Sequence, residues 1–139
     1  MFKFGLFQKP IPDSQWVTTL AQLPTRLNPI LDKLDKHFSD AIAGQEVEFI
    51  SFIDETINSF ESSLHLMRDT PKPTSIRAIE VRNNLETSLN TTTKAMSKLM
   101  SKAYVYQGRK GHFTNDDQFK LKMAIYDYYD SVGFFRISP

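Results

Sequence analysis

Residues 45–69 read QEVEFISFIDETINSFESSLHLMRD, and their apolar side chains recur at intervals of three and four. This heptad series comprises Ile50, Ile53, Ile57, Phe60, Leu64 and Met67. A helix with this period carries one continuous apolar seam, which other helices must cover. The segment therefore predicts a long bundle helix over residues 45–69 and an all-α fold.

The chain before this segment predicts another helix, over residues 28–43. Asn28 can accept hydrogen bonds from the unpaired amides of a helix start, and Pro29 suits the first helical position. Apolar side chains then follow at helical spacing as far as Ile42. Gly44 either ends this helix or lies within a longer one, and the sequence leaves both alternatives open.

The N-terminal region predicts a short helix over residues 13–23, which Asp13 or Ser14 caps and Pro24 closes. The segment 1–12 before it is mostly apolar. It opens with an alternation typical of a short strand, in Phe2, Phe4 and Leu6.

The longest predicted helix spans residues 74–106 and begins at Thr74 or Ser75, because both are good helix caps. Its apolar stripe consists of Ala78, Leu85, Leu89, Met96, Leu99 and Ala103, with Thr92 in the same row. At about 1.5 Å per residue this helix is roughly 45–50 Å long. It would overhang the shorter helices, and such an overhang is commonly covered by a second copy of the chain.

A last helix is predicted over residues 115–132. It begins near Thr114 or Asn115, and Gly133 is placed to cap its end. Its apolar side chains are Phe119, Leu121, Ala124, Ile125, Tyr128, Tyr129 and Val132. Together these segments predict a single domain over residues 1–139, built as a mostly antiparallel bundle of four to five helices.

Phenylalanine is concentrated at the two ends of the chain. Seven of the eleven lie there, namely Phe2, Phe4, Phe7, Phe113, Phe119, Phe134 and Phe135. Apolar ends fray unless they are covered. Four alternatives stay open: the ends pack on their own bundle, pair with each other, are buried in a second copy, or, for the Phe-rich start, contact a membrane.

Composition excludes several classes of protein. Seventeen Lys and Arg stand against sixteen Asp and Glu, so the chain lacks the basic excess of a dedicated nucleic-acid binder. The absence of cysteine excludes disulfides, thiolate zinc sites and a cysteine nucleophile. No apolar run reaches the length of a membrane span, and no signal peptide is recognisable, so we expect a cytoplasmic protein.

One polar row beside the seam of residues 45–69 raises the question of a metal site. Glu61 and His65 are four residues apart, with Asp54 and Asn58 in the same row. Two-metal bundles instead use a Glu-x-x-His spacing on two helices. We therefore interpret the row as a solvated helix face and predict no metal or other cofactor.

The most suggestive local cluster is basic. Lys98 and Lys102 lie one turn apart near the end of the longest helix, and the loop after it contains Arg109, Lys110 and His112. Because the next helix starts just beyond this loop, the cluster could bind an anionic group. It lacks the spacing of a phosphate-binding loop, and Asp116 and Asp117 stand beside it.

Charge also differs between the two longest helices. Residues 45–69 contain six acids and one base, whereas residues 74–106 contain five bases and two acids. Adjacent antiparallel helices of opposite sign attract, which would set the register of this hairpin more than it would stabilise it.

These patterns predict a non-enzymatic helical protein that acts through protein–protein contacts, as an adaptor, regulator or assembly component, and forms a homodimer. No catalytic residues are recognisable. The alternative is a small-ligand or anion-binding bundle, or an enzyme, that uses the basic cluster. Nucleic-acid association through the same cluster is a weaker third hypothesis.

Overall fold

The computed structural model describes residues 9–43, 47–105 and 113–137, and most of these residues are helical. The helices are α1 (Asp13–Leu20), α2 (Gln22–Ile42), α3 (Val47–Asp69), α4 (Ile76–Val105), α5 (Asn115–Val132) and α6 (Phe134–Ile137). The described residues include no strand, only an isolated bridge between Ile11 and Pro73. The all-α prediction is confirmed.

The four long helices pack in chain order. α2 lies against α3, α3 against α4, and α4 most extensively against α5, whereas α2 touches α5 only slightly. Short connections make consecutive helices antiparallel neighbours. The result is the expected bundle, with a cleft along the junction between α2 and α5.

The apolar seams face the interior, as their spacing predicts. In α3 the side chains of Ile53, Phe60, Leu64 and Met67 are buried, and in α4 those of Leu85, Leu89, Met96 and Leu99 are buried. Each large apolar side chain removed from water stabilises the fold by about 1.5–3 kcal/mol before entropy is counted. The ring of Phe49 from α3 lies 4.6 Å from that of Phe38 and 5.1 Å from that of Phe113.

One charged residue lies within the α4 seam. Arg82, only 9% exposed, occupies the heptad position between Ala78 and Leu85. Its Nη1 lies 3.5 Å from Oε1 of Glu86, and Oε2 of Glu86 accepts a 2.8 Å hydrogen bond from Nε of Arg68 in α3. This α3–α4 pair joins a base on α3 to an acid on α4. Its signs are the reverse of those expected from the net charges of the two helices.

The start of α2 differs from the sequence prediction. The helix begins at Gln22, and Pro29 lies inside it. Asn28 does not cap a helix, because its side-chain oxygen accepts a 2.9 Å hydrogen bond from the Tyr128 hydroxyl of α5. Pro24 does not close α1; it lies in the first turn of α2, where a missing N–H group is tolerated. The prediction that a helix starts at Asn28 is therefore wrong.

The N-terminal region is held to the start of α4. Asp13 does not cap α1; its Oδ1 accepts hydrogen bonds of 3.0 Å from the amides of Thr74 and Ser75. The hydrogen bonds from Ser75 hold the pKa of the Asp13 carboxyl below its usual value. The Ser75 hydroxyl in turn accepts a hydrogen bond from the amide of Ala78, which confirms Ser75 as the cap of α4.

The described part of the C-terminus packs on the chain's own bundle. The rings of Phe134 and Phe135 lie 6.4 and 5.6 Å from that of Trp16 in α1. Gly133 follows α5 with an ordinary right-handed helical backbone, so no left-handed cap forms there. The alternation in residues 1–8, the role of Gly44 and the end of the 74–106 helix beyond residue 105 fall outside the described residues.

Candidate functional site

The predicted basic cluster is only partly described. Arg109, Lys110 and His112 fall outside the described residues. Lys102 is half-buried, and its Nζ lies 2.5 Å from Oδ2 of Asp117 at the start of α5. Lys98, one turn earlier in α4, is exposed. Lys102 is thus already paired within the chain, and Lys98 is the described member of the cluster that remains accessible.

Asp117 is held in its charged form by the helix start. Thr114 and Asp117 form a reciprocal capping box, in which each side chain accepts a hydrogen bond from the other's amide. Burial alone would raise the pKa of Asp117, but the hydrogen bonds from Lys102 and Thr114 outweigh it and leave the pKa below its usual value. The carboxylate therefore neutralises Lys102.

Lys98 belongs instead to a groove between α4 and α5. Lys94, Lys98 and Lys120 line it together with the apolar Leu99 and Leu121, and Asp117, the partner of Lys102, is also part of its lining. The groove has a volume of roughly 400 Å³. Lys120 is 73% exposed and lies 3.1 Å from Asp116 on its own helix. We call this feature the lysine groove.

The outer face of α5 carries an unexpected apolar row. Phe119, Met123 and Tyr126 are 62%, 49% and 56% exposed, and they follow one another at intervals of four and three. The opposite face of the same helix is already buried through Leu121, Ala124, Tyr128 and Val132. We call the exposed row the α5 ridge. An amphipathic surface helix normally has one apolar face, whereas α5 has two.

The ridge is the site that the sequence analysis missed. The apolar pattern predicted for the last helix includes Phe119 but does not separate the two faces of the helix, and it includes neither Met123 nor Tyr126. A helical projection of residues 115–132 does separate the two faces, because side chains three and four apart share one face. What the projection cannot show is which of the two faces the bundle covers.

Different charges flank the two halves of the ridge on its α4 side. The lysine groove lies beside the N-terminal half of α5. Beside the C-terminal half lies a polar groove that Asp127 and Asp130 line together with Thr87 and Ser88 of α4. Neither aspartate has an ion-pair partner among the described residues. The surface is thus basic at one end and acidic at the other.

On the α2 side of the ridge, charged and polar side chains already pair with each other within the chain. Lys122 of α5 lies 3.3 Å from the Asp35 carboxylate of α2, and Gln118 donates hydrogen bonds to Asp35 and Ser39. Tyr129 closes the cleft beneath them. Burial, together with the charges of Asp32 and Asp35, raises the pKa of the Tyr129 hydroxyl above its usual value.

The histidines form no metal site in the part of the chain that the structure describes. Glu61 and His65 are exposed on α3, as are Asp54 and Asn58. No group of three or more potential ligands occurs among the described residues. His37 is half-buried, with its ring 4.9 Å from that of Phe52 and its Nδ1 3.8 Å from the Glu48 carboxylate.

Comparisons of the chain with protein-family models, with curated proteins and with solved structures found no match in any of the three. Among the described helices, none combines the length and the apolar character that crossing a membrane requires.

Proposed function

We propose that this chain is a non-enzymatic helical bundle that works through protein–protein contacts and forms a homodimer. The observation that carries the proposal is the α5 ridge. Phe119, Met123 and Tyr126 present apolar surface in one row on a helix whose other face is already occupied. Contiguous exposed apolar surface of this kind marks interaction sites on folded proteins.

The composition of the ridge fits a protein interface. Aromatic residues and methionine are enriched at the centres of such interfaces, where burial of a few side chains supplies most of the binding free energy. Polar and charged groups surround the ridge on both sides, as they surround the apolar centre of most interfaces. A partner that covers the ridge would remove all three side chains from water together.

Site-specific photo-crosslinking in cells tests this function. A photoreactive residue in place of Met123 should form covalent adducts with another protein molecule, either a second copy or a different chain. The matched control places the same residue at Lys36, which is exposed on α2 and belongs to none of the grooves. Equal adduct formation from the two positions would reject the ridge as the working surface.

The lysine groove favours a second candidate function, the binding of a small anionic ligand. Three ammonium groups stand beside apolar side chains there, and the one lining carboxylate, Asp117, is paired with Lys102, so an anionic head and a short apolar tail could be bound at once. Octyl phosphate is a suitable probe, with inorganic phosphate as the headgroup-only comparison. We expect octyl phosphate to raise the Tm of the native chain and of Lys36→Ala, but not that of Lys98→Ala. An equal shift in Lys98→Ala would exclude the groove as the binding site.

A further inference from the structure

We propose that a second copy of this chain docks on the α5 ridge with the two α5 helices antiparallel, about a two-fold axis that passes close to Met123. This inference rests on the proposed function and specifies the partner, the face and the direction of packing. The antiparallel two-fold is one of two symmetric ways in which a helical ridge can meet its own copy. The charges beside the ridge distinguish between them.

The apolar row is compatible with an antiparallel copy. Met123 lies at its centre, with Phe119 four residues before it and Tyr126 three residues after it. A two-fold axis perpendicular to α5 at Met123 reverses the order of the row. Phe119 then approaches Tyr126 of the partner subunit. Because of the symmetry, this aromatic contact occurs once on each side of the axis. An isologous interface requires a self-complementary patch of this kind.

The charges on the α4 side are also largely complementary under this operation, although Asp116 is brought opposite Asp130 of the partner subunit. The basic half of the surface, which contains Lys98 and Lys120, is brought against the acidic half of the other copy, which contains Asp127 and Asp130. Lys120 approaches Asp127 of the partner subunit, and the symmetry makes this contact twice. The present pairing of Lys120 with Asp116 is an exposed contact within one helix. Such pairs are weak, so Lys120 is available to a partner.

A parallel two-fold arrangement would form fewer new ion pairs than the antiparallel one. It would bring the lysine groove of one copy against the α2 flank of the other. On that flank Asp35 already pairs with Lys122 at 3.3 Å and accepts a hydrogen bond from Gln118. Asp127 and Asp130 would gain nothing, although neither has an ion-pair partner among the described residues. The antiparallel arrangement gives Asp127 of each copy a lysine on the other copy and leaves the α2 flank intact.

Charge reversal followed by mixing tests the geometry. Lys120→Glu alone places two like-charge pairs in each symmetric dimer, and so does Asp127→Lys. The homodimer of each variant should have a Kd roughly tenfold higher than that of the native homodimer, since two exposed pairs change from attraction to repulsion. An equimolar mixture of the two variants should form heterodimers of nearly native affinity, because each contact then joins opposite charges. If one variant is isotope-labelled, native mass spectrometry distinguishes the heterodimer from the two homodimers by mass.

The controls separate this inference from the function on which it rests. Lys36→Glu should leave self-association unchanged, and circular dichroism should show that all variants are folded. Restoration in the mixture supports the antiparallel arrangement. A native dimer without restoration overturns it, while the homodimer stands through another face or direction. A chain that stays monomeric also overturns it; adducts formed at position 123 with a different protein would then still support a protein-binding function.

Discussion

The carboxylate of Asp117 shows how one residue connects two helices. It accepts a 3.0 Å hydrogen bond from the amide of Thr114, which starts α5, and it binds the ammonium group of Lys102 at the end of α4. The low pKa of Asp117 follows from these contacts, which outweigh the opposing effect of burial. The same carboxylate therefore begins one helix and attaches it to the helix before it.

The decrease in the free energy of unfolding at acid pH should include a contribution from protonation of the Asp117 carboxylate. Because the pKa of Asp117 is lower in the folded than in the unfolded chain, its contribution is complete above about pH 5 and is lost as the pH falls below about 4. Asp117→Asn should lower the free energy of unfolding by about 1 kcal/mol at pH 7 and by less at pH 2. Urea unfolding at both pH values measures the two differences, and equal differences would contradict this assignment.

At the scale of the element, α2 is a continuous helix with a proline in its interior. Pro29 has no N–H group to donate to the carbonyl of Thr25, four residues earlier. The helix persists because its apolar side chains are buried along its length, among them Leu23, Leu27 and Leu31. The packing of α2 therefore outweighs a sequence that by itself is typical of a helix start.

Pro29→Ala should stabilise the chain by about 2 kcal/mol. An interior proline disfavours a helix by about 3 kcal/mol relative to alanine, and the greater freedom of the unfolded alanine variant offsets about 1 kcal/mol. Pro24→Ala is the matched control, because Pro24 lies in the first turn and should give little change. Thermal unfolding of both variants checks the comparison. A neutral or destabilising Pro29→Ala would instead indicate a helix that starts at Pro29.

At the scale of the whole molecule, the first and last described helices meet at one end of the bundle. Trp16 of α1 is fully buried, and the rings of Phe134 and Phe135 from α6 lie against it. The guanidinium of Arg77, in the first turn of α4, lies 5.9 Å from the centre of the Phe134 ring. Trp16 thus joins α1 to α6 in a cluster that also borders α4.

Trp16→Ala should destabilise the chain by about 3–5 kcal/mol, because it removes the centre of this cluster. Hydrogen exchange should then show reduced amide protection in α6 as well as in α1. Trp16→Phe should cost much less, since the indole Nε1 has no hydrogen-bond partner among the described residues and a large ring is kept. Loss of protection confined to α1 in the alanine variant would contradict the coupling of the two helices.

Features that depend on neighbouring residues were predictable from the sequence. Ile53, Phe60 and Leu64, which are buried, share one face of α3, and this follows from helical spacing alone because the period decides which side chains share a face. The caps at Ser75 and Thr114 follow in the same way, since each hydroxyl accepts a hydrogen bond from an amide three residues later. These interactions involve residues that are close in sequence whatever the remainder of the chain does.

Features that depend on distant residues were decided only by the tertiary structure. Asn28 resembles a helix cap until its partner is known, and that partner is Tyr128, 100 residues away. In the sequence Lys102 resembles a free lysine that could bind an anion, but in the structure it is paired with Asp117. The sequence contains both apolar faces of α5, but the packing of α4 decides which one is buried. Helical periodicity determines the faces of a helix, whereas their exposure depends on what the other helices leave uncovered.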